Sequence, residues 1–479
     1  MSNFDTPQRI TLSADATRAG LEAIQKLSRL GAERNTPAFK RLAQSIDLTA
    51  IDSAFRLSSD PQTIRHLVKN GPAIMKGCIR FMRATIVRDS SITSLQNPSF
   101  ECTYNCFRLL VATLNLCLLD KCNELDGALV GYKRFTYYNM HTVISVALSQ
   151  MIETQAKISG AGGDCDSIFG WSPSTSRIRR TPLITQDDTL DLLNLLWDFR
   201  KGLLKAMLLT SPPGLSGLMF LFLRSVINQP SLRAQDWELI KCKLHELALR
   251  YMLIGYPAEH WNQHDVMGEI LDQIDSSDGV WSMQPKYVDA EDSRCIVQAF
   301  IDLISSHTQK SFPMNTPYIL YRLVVLSIDY SSQDLLAEVM ESSIHYAWFF
   351  VIRVQGRVDM TPFVQGLFRS FIMFLHPPHN APYEIIDVTQ EQLITAFYRA
   401  DLLDLVARFI AELKPGPRIS SPLFVWGLTQ SLKRTLPLVC VATIDVPHFL
   451  HTTMFTKDPD MGVQIATKTG YIATIVAKQ

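Results

Sequence analysis

The chain has 479 residues, with 46 Lys+Arg against 46 Asp+Glu and a net charge of zero. That balance excludes the basic field of a protein that lives on nucleic acid or on an anionic membrane surface. Hydrophobic residues make up 47% and charged residues only 19%, enough apolar material for a large core, which excludes wholesale disorder.

The first twenty residues, MSNFDTPQRITLSADATRAG, contain no apolar stretch of the secretory type, and Asp5 and Asp15 are out of place in an organelle transit peptide. Nine cysteines, an odd number, are scattered through apolar helical patterns rather than arranged as a disulfide framework. Reduced thiols in the cytoplasm or nucleus are the expectation. The most apolar stretches, Phe107 to Leu119 and Leu215 to Leu223, fall short of the roughly 18 residues a membrane span needs. No membrane-spanning segment is therefore expected.

The first strong helical pattern is Phe100, Tyr104, Phe107, Val111, Leu114 and Leu118. Leu109, Leu110, Leu116 and Leu119 fill its other sides, which predicts a helix surrounded by neighbours. Cys102 and Cys106 share a face of it, but zinc sites pair two such couples and no C-x-x-C occurs anywhere. Buried thiols, as for Cys78 and Cys117, are the simpler reading. Residues 159–182, SGAGGDCDSIFGWSPSTSRIRRTP, carry no helical stripe and read as a flexible loop or linker between 1–158 and 183–479. The glycines at 160, 162 and 163 are followed by Asp164 rather than Lys-Ser/Thr, so they do not make a phosphate loop. Arg177, Arg179 and Arg180 are too few for a basic binding patch and read as a solvated loop.

From Asp187 the chain predicts a long amphipathic helix, with Leu192, Leu196, Phe199, Leu203 and Ala206 on one face. Asp188, Asp191, Asn194, Asp198, Lys201 and Lys205 form the opposite stripe, acids first and lysines last, matching the helix dipole. Pro213-Gly214-Leu215-Ser216-Gly217 follows. It lacks the strand and the G-x-S-x-G spacing of a nucleophile elbow, so Ser216 reads as a turn or capping serine. Trp237, Ile240, Leu244, Leu247, Tyr251 and Ile254 predict the next helix, with Glu238, Lys241, His245 and Arg250 facing outward. His260 and His264, with Glu269 beyond them, are the best metal candidates by spacing, although a polar helix start after Pro257 explains them more simply.

Shorter helices are predicted at 290–305, 317–328, 332–341, 361–375, 391–413, 422–435 and 445–455, separated by prolines and glycines. The aromatics Tyr346, Trp348, Phe349 and Phe350 read as core or groove packing, since base stacking would need more charge around them than Arg353 and Arg357 supply. The pairs His376/His379 and His448/His451 read as turn and helix-face histidines. Only Val439–Ile444 and Gly470–Val476 have the texture of short strands.

The stretch Leu190 to Leu223, a leucine-rich helix with Trp197-Asp198-Phe199-Arg200-Lys201 and then Pro213-Gly214-Leu215-Ser216-Gly217-Leu218 before a second apolar helix, resembles helical, armadillo-like regions of basidiomycete proteins that carry a MYND-type zinc finger. The finger's serial Cys pairs ending in His and Cys are absent here, so no zinc ligand transfers to any residue. What the resemblance implies is a protein-interaction role.

Together these readings predict an all-α protein, either an irregular stack of helical hairpins like an armadillo or HEAT superhelix or two packed helical bundles. The leading function is an intracellular scaffold that holds a protein or peptide partner. The alternatives are an enzyme whose site is assembled from residues distant in sequence, and a structural homo-oligomer. No residue is singled out as catalytic, cofactor-binding or metal-ligating.

Overall fold

The computed structural model describes residues 11–33, 36–88, 98–134, 139–171, 181–210, 214–228, 234–254, 262–274, 285–305, 316–354, 363, 366–368, 371 and 384–412. Among them every regular element is helical. The chain divides into two compact units, Met1–Ser282 and Met283–Gln479, and the described elements of each are helices. Residues 159–182, expected to separate two regions, lie inside the first unit. Their described part is packed rather than free: Cys165 and Phe169 are buried, and Asp166 accepts from the Arg224 Nε at 2.8 Å. The strands expected at 439–444 and 470–476, and the helices at 422–435 and 445–455, lie outside the described residues.

The first unit begins with α1 (Ala14–Ala32), α2 (Pro37–Gln44), α3 (Leu48–Arg56) and α4 (Ile64–Arg88). Each of the first three starts where a side chain satisfies an orphan amide: Ser13 accepts from Ala16, Thr36 from Phe39 and Asp47 from Ala50. α1 lies across α4, and there the backbones touch: a Cβ on Gly31 would sit 2.8 Å from the Ala73 carbonyl oxygen. One on Gly77 would collide outright with the Leu27 carbonyl. Any larger residue would force the helices apart.

The hub is α5 (Pro98–Lys121), which packs on α3 and α4 and also on α7 (Met140–Gly160) and α10 (Ser216–Ile227). Phe107, Leu109, Leu110, Val111, Leu114, Leu116, Leu118 and Leu119 are all buried, as their distribution around the helix predicts. α10 is enclosed on every side, each residue from Ser216 to Val226 being buried. Full burial of a Leu or Phe contributes about 1.5–3 kcal/mol, so these two helices supply much of the unit's cohesion.

Length and composition alone would allow two helical stretches, Ser99–Lys121 and Gln333–Ile352, to cross a membrane, contrary to the expectation drawn from the shorter runs. Scattered polar residues interrupt the runs without lowering the average. In the first stretch, 83% of the apolar window is covered by the protein itself, the mark of a core helix; in the second the covered share is 44%.

The helix expected from Asp187 is two helices, α8 (Gln186–Asp198) and α9 (Arg200–Leu209). Phe199 breaks them, with ψ near zero, and its ring turns onto Phe100 at 5.1 Å. The apolar face continues through the break, so the periodicity conceals it. In α11 (Ala234–Met252) the predicted outward face is overturned: Lys241, His245 and Arg250 are only 5%, 3% and 1% exposed. α11 packs on α8, α10 and α12 (Asn262–Ile274), which leaves it little free face. Lys201 on α9 is likewise buried rather than solvated.

Rings and carboxylates offset the burial of Lys241, Arg200 and Arg250. Lys241 Nζ lies 3.3 Å from the Trp237 ring centre, and the Arg200 guanidinium 3.9 Å from that of Trp197. Glu246 accepts from the Nε of both Arg200 (2.7 Å) and Arg250 (3.1 Å).

The second unit contains α13 (Ala290–Ser305), α14 (Thr316–Ser327), α15 (Leu336–Val354), α16 (Asp387–Arg399) and α17 (Leu402–Glu412). α15 is its centre, packed on α13, α16 and α17. The single helix expected over 391–413 is divided at Asp401, whose left-handed φ of 53° ends α16 and starts α17. Tyr346, Phe350 and Phe363 form an aromatic core, and Trp348 donates to the Ala400 carbonyl at 3.1 Å.

Candidate functional site

A groove of about 940 Å³ opens in the first unit, between α6 (Leu125–Arg134) and α7. Its geometry starts at Asn123, whose φ of 61° ends α5 in a left-handed turn and reverses the chain into α6. Leu125, Ala128 and Tyr132 anchor α6 on the protein. At one end, the Cys122 sulfur lies 3.7 Å from that of Met151. Burial, then the charge of Glu124, pushes the Cys122 thiol up, so it stays protonated.

α7 begins at Asn139, whose side chain accepts from the Thr142 amide at 2.8 Å. It is apolar on two sides. Ile144, Leu148, Ile152 and Ala156 face the core, whereas Val143, Val146 and Ala147 are half-buried and floor the groove. Gly127 and Gly131 form the opposite wall. A Cβ there would meet only ordinary contacts among the described residues, Glu124 Oε2 beside Gly127 and Val143 Cγ1 beside Gly131, each at 3.9 Å. The groove is thus apolar and shallow-walled, with Glu124, Gln150 and Thr154 at its polar margin. Such a surface can hold a polypeptide by shape and apolar contact, and it presents no convergent acid, base or nucleophile.

Ser216 occupies the buried start of α10, and its hydroxyl lies 2.9 Å from that of Ser149. The turn before it is pinned from three helices. Asn115 Nδ2 donates to the Gly214 carbonyl (2.8 Å), Gly214 N–H to Ser145 Oγ (2.8 Å), and Leu215 N–H to the Tyr251 hydroxyl (2.8 Å). Tyr251 in turn donates to Gln263. The arrangement holds α10 in place and leaves Ser216 closed to substrate.

Cys102 and Cys106 share a face of α5, as predicted, and Cys106 lies against Cys78, with its Sγ 3.7 Å from the Cys78 carbonyl oxygen. Burial pushes the Cys106 thiol well up; burial and then Glu101 and Asp47 raise that of Cys102. His264 is buried on α12, while Glu269, five residues on and so about 140° around the helix, is on the partly exposed side. Glu269 keeps company with Asp265, whose carboxyl is raised by burial and then by Glu153, against the opposing pull of Lys157. The structure therefore does not bring His264 and Glu269 together. Among the described residues no group of three or more His, Cys, Asp or Glu converges as metal ligands do. His260, the pairs His376/His379 and His448/His451, and Arg177, Arg179 and Arg180 lie outside the described residues.

Sequence reasoning passed over α6 entirely. The signal was present, a Gly-x-x-x-Gly spacing at Gly127 and Gly131 with Glu124 before it and Lys133-Arg134 after it. It also missed His141, which stacks on Phe55 (4.9 Å between centres, 2° between planes) and lies 3.1 Å from Ser59 Oγ through Nε2. Arg108 covers the same Phe55 ring at 4.4 Å. Burial, then the Arg108 charge, lowers the His141 imidazole to about 4, so it is neutral at physiological pH.

Set against known protein families, curated proteins and solved structures, the chain matches none of them.

Proposed function

We propose that the protein is an interaction scaffold whose first unit holds a partner polypeptide in the α6–α7 groove. The observation that carries this reading is the groove itself, about 940 Å³ with a half-buried apolar floor and glycines along one wall. A helix laid in a groove is a common mode of peptide recognition, and it needs an apolar floor more than it needs charge. The sequence likeness to helical regions that accompany peptide-binding fingers supports the same direction. In this reading α5, α10 and the pinned turn at Gly214 are the rigid platform that holds α7 in position.

A photo-reactive benzoylphenylalanine in place of Ala147 tests the reading in the full chain. Irradiation is expected to cross-link a polypeptide at Ala147 but not at the exposed control Tyr398 on α16. Gly131→Trp, which fills the groove, is expected to abolish that product. Equal yields from both positions, or a yield indifferent to Gly131→Trp, would overturn the reading.

A further inference from the structure

We infer that the segment seated in the groove is α6 of a second copy of this chain, laid antiparallel across a two-fold axis at Leu129. This rests on the reading of the groove as a polypeptide site and names its occupant. Glu124, just before α6, and Gly127, Gly131 and Arg134 within it follow at spacings of three, four and three, so they lie along one side of the helix. The first three of them line the groove.

Two features of that side select a second α6. The first is charge. Glu124 and Arg134 lie equally far from Leu129 on either side, and both are exposed. An antiparallel copy therefore brings each Glu124 to the partner's Arg134, twice by symmetry. A parallel copy would set carboxylate against carboxylate. The second feature is the glycines, which are also equidistant from Leu129, so each copy presents the same low ridge where the other does. Glycine in a helix interior costs about 0.8–1 kcal/mol against alanine. Among the described residues nothing approaches closely enough to need it, the nearest atom to either Cβ position being 3.9 Å away. Small residues at such spacing let two helix backbones come close. An isologous contact of this kind is self-complementary and closes at two copies.

α6 has 10 residues, and at 1.5 Å per residue is about 15 Å long, so the pairing belongs with small, weak interfaces below about 1,200 Å². It is read at high protein concentration. Sedimentation velocity of the full chain, from about 1 to 300 μM on the scale of weak interfaces, is expected to show a reversible monomer–dimer equilibrium. Glu124→Arg and Arg134→Glu, each alone, are expected to weaken the dimer at least tenfold. An equimolar mixture of the two single variants is expected to restore it, because both end contacts again join opposite charges. Gly131→Leu, which blocks the approach without burying its side chain internally, is expected to lose the dimer in every mixture.

A wild-type chain that stays monomeric throughout the range would overturn the proposal, as would a dimer indifferent to these substitutions. If the wild type is monomeric while the Ala147 probe still captures a polypeptide that Gly131→Trp excludes, the self-pairing falls and the groove reading stands. If the probe captures nothing either, both fall.

Discussion

On α1 and α4, Gly31 and Gly77 sit where two backbones cross; on α6, Gly127 and Gly131 sit beside α7, where a Cβ would meet only ordinary contacts among the described residues. At the first place, the neighbouring carbonyls of Ala73 and Leu27 already occupy the space a side chain would take. At the second, a Cβ meets no atom closer than 3.9 Å. The same residue type therefore has opposite explanations. The crossing of α1 and α4 uses glycine to fold, whereas no described residue demands it on α6.

The comparison can be broken most forcefully at the crossing. Gly77→Leu is expected to destabilise the first unit by about 5 kcal/mol, among the largest single-residue effects, because the clash is with backbone and not with a movable side chain. The midpoint of urea unfolding reads this directly. A loss under about 1 kcal/mol would mean that the crossing is looser than its geometry requires.

Next comes the buried charge between α9 and α11. Glu246→Ala leaves the guanidinium groups of Arg200 and Arg250 without their shared acceptor in a site where all three are largely buried. The expected cost is about 3–4 kcal/mol, read as a lowered urea midpoint. A neutral result would show that solvent reaches these arginines.

Acid should act through His141. Its folded value, about 4, lies below the ordinary 6.5, so the unfolded chain binds the extra proton first. Its contribution to stability is intact above about 6.5 and is lost as pH falls toward 4. The loss is at most about 3 kcal/mol, less to the extent that solvent reaches the ring. His141→Phe, which keeps the stack on Phe55, is expected to flatten that part of the stability–pH curve. An unchanged slope would assign the acid sensitivity elsewhere. Smaller again is Ser216→Ala, expected to cost about 1 kcal/mol for the lost hydroxyl pair with Ser149. Ligand capture at the groove should be unaffected, since Ser216 is buried at the start of α10 and does not line the groove.

How much of this could be read from the sequence differs by element. α5 was legible because its apolar residues surround the helix, and a helix apolar on all sides has nowhere to be but the interior. The lower part of the chain gave α13 and α14 nearly to their ends for the same reason of clear stripe and clear punctuation. α11 was misread because Lys241, His245 and Arg250 look like a solvent face; the helices packed around α11, with Trp237 under Lys241 and Glu246 on Arg250, bury that face, and the packing is a tertiary fact. The break at Phe199 was hidden because the apolar face runs through it. The groove was invisible for a further reason: α7 is apolar on two sides, and nothing local says which side the core will take.

The most direct test of the central claim is the stability of Gly127→Ala and Gly131→Ala, singly and together, in dilute solution. If these glycines serve an approaching helix and not the chain's own packing, each alanine should stabilise the isolated chain by about 0.5–1 kcal/mol, raising the urea midpoint. Destabilisation by either substitution would contradict the claim, because it would place at α6 the same internal need for glycine that Gly31 and Gly77 meet between α1 and α4.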